Sequence, residues 1–302
     1  MTRTRIIVLG AAAGGGFPQW NCNCRICALY WQGDARVGAR TQSSIAVSGN
    51  ERDWVLFNCS PDVRSQIINT PALRPQAGAR HSPICCTVLT NGDIDHVAGL
   101  LSMRESQPFS IFATASILDA IAANPMFAAV NEALVPRRRL SLGDAVALPG
   151  GLEMELFAVP GKVPLYLEDE HVEIGAETET TIGVKVSAND KSFFYIPGCA
   201  AMPETLAKRI GGAELVLFDG TLWRDDEMIA EGVGQKTGQR MGHMSMSGPD
   251  GSMAAFAPLC VKRKVYIHIN NTNPVLIEGS AECSAAEQAG WEIASDGMEI
   301  VL

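Results

Sequence analysis

Two clusters in this sequence are made of residue types that do chemistry. The first is Cys22-Asn-Cys24-Arg-Ile-Cys27, three thiols within six residues. Thiols so crowded converge only if something holds them, and soft sulfur ligands select zinc as a closed, tetrahedral structural ion. Such a site needs a fourth ligand from elsewhere in the chain. Plain reduced cysteines and a redox pair are the alternatives the spacing leaves. The second cluster is Thr90-Asn91-Gly92-Asp93-Ile94-Asp95-His96, directly after an apolar run that begins at Ile84. It therefore reads as a loop at a strand's end, pointing several oxygens and one imidazole at a common centre. Asp93 or Asp95 could instead cap the helix that follows. Three of the five histidines, His96, His243 and His268, stand in polar, Gly- or Asn-rich contexts at element ends, and Asp219 closes the run Leu215-Val-Leu-Phe. Strand-end carboxylates and imidazoles gather at one edge of a sheet, and a metal site is the reading that unites them. Each has a plainer alternative: a satisfied core histidine for His268, a structural role for His243, a turn or cap for Asp219. His81 and His171 read as surface residues, and Met241, Met244 and Met246 as packing.

These groups need a scaffold, and the pattern around them supplies one. A strand beginning at Arg5 runs into the glycine turn Gly10–Gly16, which lacks the lysine of a phosphate loop and the spacing of a dinucleotide fold, so a tight turn near a pocket is expected. Short β-like runs follow at residues 44–48, 54–58, 84–90, 153–159, 182–187, 192–196, 214–219 and 265–270. Helices are expected over 61–69, 114–123, 203–209 and 247–257, the last with Pro249 and Asp250 in its first turn. Strands and helices alternate in both halves without a linker, so one domain over residues 1–302 is expected, an α/β fold with sheet layers inside and helices outside. Residues 160–181 are acidic and weakly periodic, and read as a surface loop or lid over a pocket.

The net charge of −9, with no basic run longer than Arg137-Arg138-Arg139, argues against nucleic acid as a partner; that triplet reads as a solvated loop. No stretch approaches a membrane span, and the start lacks the apolar core of a secretory signal, so a cytoplasmic location is expected. Nine cysteines, an odd number, argue against a disulfide framework. The remaining six, Cys59, Cys85, Cys86, Cys199, Cys260 and Cys283, sit in apolar or small-residue surroundings, where a thiol acts as a small hydrophobe.

The glycine turn, C-x-C-x-x-C, the D-x-D-H loop, the strand-end Asp219, Gly242-His-Met-Ser, the strand-end His268 and a closing Asp296-Gly-Met-Glu-Ile occur in an order that resembles the phosphodiesterase branch of the metallo-β-lactamase superfamily. Within it, Thr90-Asn-Gly-Asp-Ile-Asp-His96 and His268-Ile-Asn-Asn-Thr-Asn-Pro274 are similar to the coenzyme PQQ (pyrroloquinoline quinone) synthesis protein B family, and the likeness runs from Gly10 to Glu299. The resemblance implies a metallo-β-lactamase-like four-layer αββα sandwich. The superfamily's H-x-H-x-D-H loop holds two zinc ions. Here its two leading histidines are Asn91 and Asp93, a third near Lys162 is missing, and Gly198 or Cys199 stands where a bridging aspartate is expected. One metal position is thereby stripped, and the other keeps Asp95, His96 and His268.

Two histidines and one carboxylate are the ligand set of non-haem Fe(II) oxygenases, although zinc with the same ligands would make a hydrolase. The resemblance implies the oxygenase: Fe(II) on Asp95, His96 and His268, dioxygen as co-substrate, and hydroxylation of the tyrosine ring of a cross-linked Glu–Tyr intermediate, a small amino-acid-derived substrate. Asp93 is then a weak fourth ligand or a base for the phenol, His243 a proton-transfer group, and Asp219 a residue that orients an imidazole or bound water. Asn271, three residues after His268, is the candidate fourth ligand of the structural zinc. A zinc hydrolase and a non-catalytic carrier of the finished quinone remain the competing readings. The number of chains that assemble is left open, a homodimer included.

Overall fold

The computed structural model describes residues 3–168 and 173–302. Its strands fall into two seven-stranded sheets. The first holds β1 (Arg5–Gly10), β2 (Ser44–Ser48), β3 (Trp54–Phe57), β4 (Ile84–Val88), β5 (Ser110–Ala113), β6 (Arg137–Arg139) and β14 (Glu299–Val301). The second holds β7 (Ala145–Leu148), β8 (Leu152–Gly161), β9 (Ala176–Ala188), β10 (Lys191–Ile196), β11 (Val216–Asp219), β12 (Lys264–Ile267) and β13 (Trp291–Ile293). Spatial order is β14-β1-β2-β3-β4-β5-β6 in one sheet and β13-β12-β11-β10-β9-β8-β7 in the other. In each sheet four neighbouring strands run parallel, β3 to β6 and β10 to β13.

Strand alternation decides the layers. Leu156, Val184, Tyr195, Leu217 and Val265 pack with Ile6, Ile45, Val55 and Val88 in a core between the sheets. Their sequence neighbours Phe157, Phe194, Val216, Phe218 and Tyr266 point the other way, into a second core closed by Leu206, Phe256 and Ala286. Those three come from α5 (Glu204–Ile210), α8 (Ser252–Phe256) and α9 (Ala281–Gln288), and α1 (Arg25–Trp31) adds Ile26 and Cys27. Over the other sheet lie α2 (Val63–Asn69) and α4 (Ala115–Ala122), the latter capped by Thr114 accepting from Ile117 N. Three short helices stand near the sheet ends: α3 (Ile94–Val97), α6 (Glu227–Ala230) and α7 (Gly238–Met241). The result is the expected four-layer αββα sandwich.

Several expected boundaries move, each for a local reason. The run 54–58 ends at Phe57 and the run 265–270 at Ile267, because Asn58 (φ 63°) and His268 (φ 60°) adopt the left-handed conformation, which breaks a ladder. The helix expected over 247–257 shrinks to Ser252–Phe256, since Gly248 (φ 89°) makes Pro249 and Asp250 part of a turn. Arg137-Arg138-Arg139 is an edge strand rather than a loop; Arg137 pairs with Glu132 at 3.0 Å and Arg139 with Asp119 at 2.6 Å. The irregular segment 160–181 is shorter than expected, because β8 and β9 stay paired out to Gly161 and Ala176. His171 lies outside the described residues. His81 is half-buried and accepts from Gln76 N, and Cys260 is exposed rather than packed.

Gly99 illustrates how tightly the loop after β4 is held: a β-carbon there would overlap the carbonyl oxygen of Ser60. Gly99→Ala is therefore expected to destabilise the fold by about 2 kcal/mol or more. A denaturant midpoint equal to that of the wild type would refute this close approach.

Candidate active site

The parallel strands deliver the chemistry to one end. Asp219 is the last residue of β11, His268 follows β12, and residues 91–96 follow β4. Ligand sites of parallel sheets lie at such carboxyl ends, because side chains from several strands converge there. The glycine turn after β1 is stitched to the same place: Ala12 bridges Ile269, and a β-carbon on Gly14 would lie 3.5 Å from Asp95 Cγ.

Asp95 Oδ2 lies 3.1 Å from His268 Nε2 and 3.6 Å from His96 Nε2. Both imidazoles are fixed through their other nitrogen. His96 Nδ1 donates to Asn91 Oδ1 at 2.6 Å, and His268 Nδ1 donates to Thr221 Oγ1 at 2.8 Å. Whereas His268 Nε2 hydrogen-bonds to Asp95 Oδ2, donating while no metal is bound and freeing its lone pair for an ion once deprotonated, His96 Nε2 is a lone-pair donor buried with no hydrogen-bond partner. Such an orphaned nitrogen costs free energy unless something accepts its lone pair. The ligand atoms of Asp95, His96 and His268 lie within 4.8 Å of one another, so the three fit a metal ion.

The electrostatics agree. Burial raises the Asp95 carboxyl, but the imidazoles of His96 and His268 outweigh it and hold the group well below the usual range. Burial pushes His96 down to about 4, which keeps it neutral as a ligand must be. Burial also lowers His268, but Asp95 reverses the shift and leaves it raised. Asp93 is raised by burial and by Asp95, with Lys162 opposing.

Asp219, His243 and His268 form a second group within the same reach. However, Asp219 is fully buried and its oxygens are engaged. Oδ2 accepts from Cys199 N and from His243 Nδ1 at 2.6 Å, and Oδ1 accepts from Thr221 N and Thr221 Oγ1. With four bonds accepted, little capacity remains for a metal. Asp219 instead orients His243, whose ring stacks on His268 at 5.1 Å and whose Nε2 is left for the cavity. Asp93 joins neither group. Its carboxylate does not cap α3, and its Oδ1 accepts weakly from Leu165 N at 3.4 Å. The bridging position is empty of ligands: Gly198 lies against His243, and the Cys199 thiol donates to Ala201 O.

Asp93, Asp95, Thr221, His243 and His268 line a cavity of about 440 Å³, together with Lys162, Lys236 and Met241. The segment after β8 covers part of it, with Tyr166 Oη donating to Gly92 O at 2.8 Å. Thr221 and Lys236 were not singled out in the sequence. A threonine two residues after a strand-end aspartate is the only signal for the first, and nothing local marks the second.

The cysteine site is equally well assembled. Cys22, Cys24 and Cys27 bring their sulfurs within 4.8 Å of one another, and the Asn271 amide reaches them at 3.1, 3.8 and 3.4 Å respectively. Half a turn of that amide presents its oxygen instead. Burial pushes the Cys24 thiol up to about 12 and raises Cys27, so a bound cation is what would hold these sulfurs as thiolates. The donor set fits a zinc ion.

A family model described as the Beta-lactamase superfamily domain matches residues 53–269. Coenzyme PQQ synthesis protein B of Methylorubrum extorquens is 54% identical over 297 residues, 98% of this chain and 99% of that one. The chain belongs to the PQQ synthesis protein B family. The family's protein from Xanthomonas oryzae pv. oryzae is also 54% identical, over 99% of this chain and all of that one. The crystal structure of zinc-bound PqqB from Methylobacterium extorquens superposes with a TM-score of 0.97 at 53% identity, over 99% of this chain and 100% of the other. A diphosphatase of the PhnP family shares only the fold, at 19% identity and a TM-score of 0.73. No helix among the described residues is long and apolar enough to cross a membrane.

Proposed function

We propose that this protein is a mononuclear non-haem Fe(II) hydroxylase of pyrroloquinoline quinone biosynthesis, acting on the tyrosine ring of a cross-linked Glu–Tyr intermediate. The observation that carries the reading is the orphaned Nε2 of His96, aligned with His268 Nε2 on one carboxylate, Asp95. Two imidazoles and a carboxylate with open positions are the ligand set of Fe(II) oxygenases. An iron(II) ion held there would supply activation of dioxygen, the co-substrate, with one oxygen atom entering the ring and the other leaving as water on two electrons from an external reductant. The names of the relatives support the pathway.

The chain's own residues do the rest. In this reading His243 takes the proton of the phenol at Nε2; its hydrogen bond from Nδ1 to Asp219 supports the role. Asp219 and Thr221 keep the imidazole in that tautomer, as a buried carboxylate does in other His–carboxylate pairs. Asp93, raised by burial, serves as a hydrogen-bond partner for the substrate rather than a metal ligand. His243→Gln is expected to lower kcat by roughly 10²–10⁴-fold with a small effect on KM, the range of a lost general acid–base. Steady-state kinetics showing an unchanged kcat would remove His243 from proton transfer.

A zinc hydrolase is the second reading, favoured by the zinc in the Methylobacterium extorquens structure. Metal content per chain on anaerobically purified protein, before and after Fe(II) loading, separates the two when combined with oxygen uptake on the cross-linked Glu–Tyr diamino acid in the presence of a chemical two-electron reductant. One firmly held zinc plus one exchangeable iron that supports uptake is the expected result. Two or three tightly held zinc ions without oxygen consumption would overturn the hydroxylase and restore the hydrolase.

A further inference from the structure

One group of charges at the cavity is not used by the proposed chemistry. The Glu168 carboxylate, 9% exposed, receives three cations. Arg240 grips it with both arms of its guanidinium, at 2.8 and 3.3 Å, and Lys162 Nζ lies 2.9 Å away. Lys236 Nζ stands at 3.5 Å. The Arg240 hydrogen bonds and Lys162 together hold Glu168 down at about 2, so it stays charged. Among the described residues the acids of this region are Glu168 and, lining the same cavity as the two lysines, Asp93 and Asp95, the last of which faces the imidazoles of His96 and His268.

The two lysines differ from the arginine in placement. Lys162 and Lys236 line the cavity that holds Asp93, Asp95, His243 and His268, whereas Arg240 does not. An ammonium has three donors. Lys162 gives one to Val163 O and one to Glu168, and Lys236 gives one long contact to Glu168, so each keeps donors for a further acceptor. The arrangement is also built in. Lys162 is only 11% exposed, and a β-carbon at Gly242, beside His243, would lie 3.2 Å from its Cγ. The stem of Lys162 is thus packed against the turn that carries the proton-transfer histidine.

We infer that Lys162 and Lys236 form a carboxylate-binding subsite of the cavity, held in place by Glu168 and Arg240, which recognises an α- or side-chain carboxylate of a multiply acidic amino-acid substrate. The inference rests on the reading of this cavity as the substrate site. Glu168 and Arg240 position the two ammoniums, and the ammoniums contact the substrate. A carboxylate anchored there fixes the far end of the molecule and leaves its ring to the metal end of the cavity.

The test is equilibrium binding by calorimetry to zinc-loaded protein, where no oxygen chemistry intervenes. The probes are the cross-linked Glu–Tyr diamino acid and its methyl ester, in which the carboxylates are blocked. Wild type should prefer the acid. Lys236→Met should weaken the acid by roughly tenfold, the loss of one charge-assisted contact, and leave the ester unchanged. Lys236→Arg should restore the acid. Lys236 is 40% exposed, so the variant is expected to fold, and Lys162→Met serves as the second variant. Equal loss of acid and ester, or no loss of either, would overturn the subsite. Failure of the hydroxylase reading would show differently, as absent oxygen uptake with acid-selective binding intact.

Discussion

Asp95→Ala is expected to lose the active-site metal and to lower turnover by at least about 10³-fold, because the carboxylate that His96 and His268 share disappears. The remaining His96 and His268 would hold a divalent ion far more weakly. Metal analysis after iron loading should return only the zinc of the cysteine site. Retention of one iron per chain, or of wild-type oxygen uptake, would dismiss Asp95 as a ligand. The metal-free wild type carries a pH signature of the same contacts. The Asp95 carboxyl is depressed, so its contribution is present above the ordinary carboxylate value and fades as pH falls. His268 is raised, so its contribution is complete below the ordinary histidine value and lost as pH rises through its folded value. Thermal stability of the apo protein should therefore peak between the two, and Asp95→Ala should flatten both limbs.

The second large effect is expected at the other end of the same block. Cys27 is fully buried, and α1 rests on the outer core through Ile26 and Cys27. Cys27→Ser should release the zinc and cost on the order of 5 kcal/mol, a fall of roughly 10 °C in Tm for a chain of this size. Because Asn271 sits three residues beyond His268, iron affinity should fall with it. An unchanged melting temperature together with an unchanged zinc content would show that the thiols hold no structural ion.

Much of this was legible because the residues announce themselves. Three thiols in six residues and an aspartate–histidine pair after an apolar run are short-range signals; the structure brings the three sulfurs together, and Asp95 and His96 with His268, but leaves Asp93 outside the group. The strand runs 44–48 and 192–196 were equally plain, since β-branched and aromatic residues crowd there. What the pattern hid was long-range or conformational. Asn91 reads as a lost ligand, yet it orients His96, a role that exists only once the loop has closed. Asn271 could be tied to the cysteines only by likeness, because the contact spans 249 residues. Residues 5–10 and 299–301 pair as strand neighbours, and β14 is too short for periodicity to reveal. The left-handed turns at Asn58 and His268 use residue types that tolerate that conformation, but a single such residue at the end of an apolar run does not announce the turn.

The placement of residues 268–271 has a consequence in the order of synthesis. His268 meets Asp95 across 173 positions, and Asn271 meets Cys22 across 249. A ribosome delivers Cys22, Cys24, Cys27, Asp95 and His96 long before the partners they require. Throughout that interval the nascent chain presents three thiols and an unfinished imidazole–carboxylate pair to whatever metal the surroundings offer. Neither centre can discriminate among ions by its finished geometry until residues 268–271 have been made, and both then close within the same few peptide bonds.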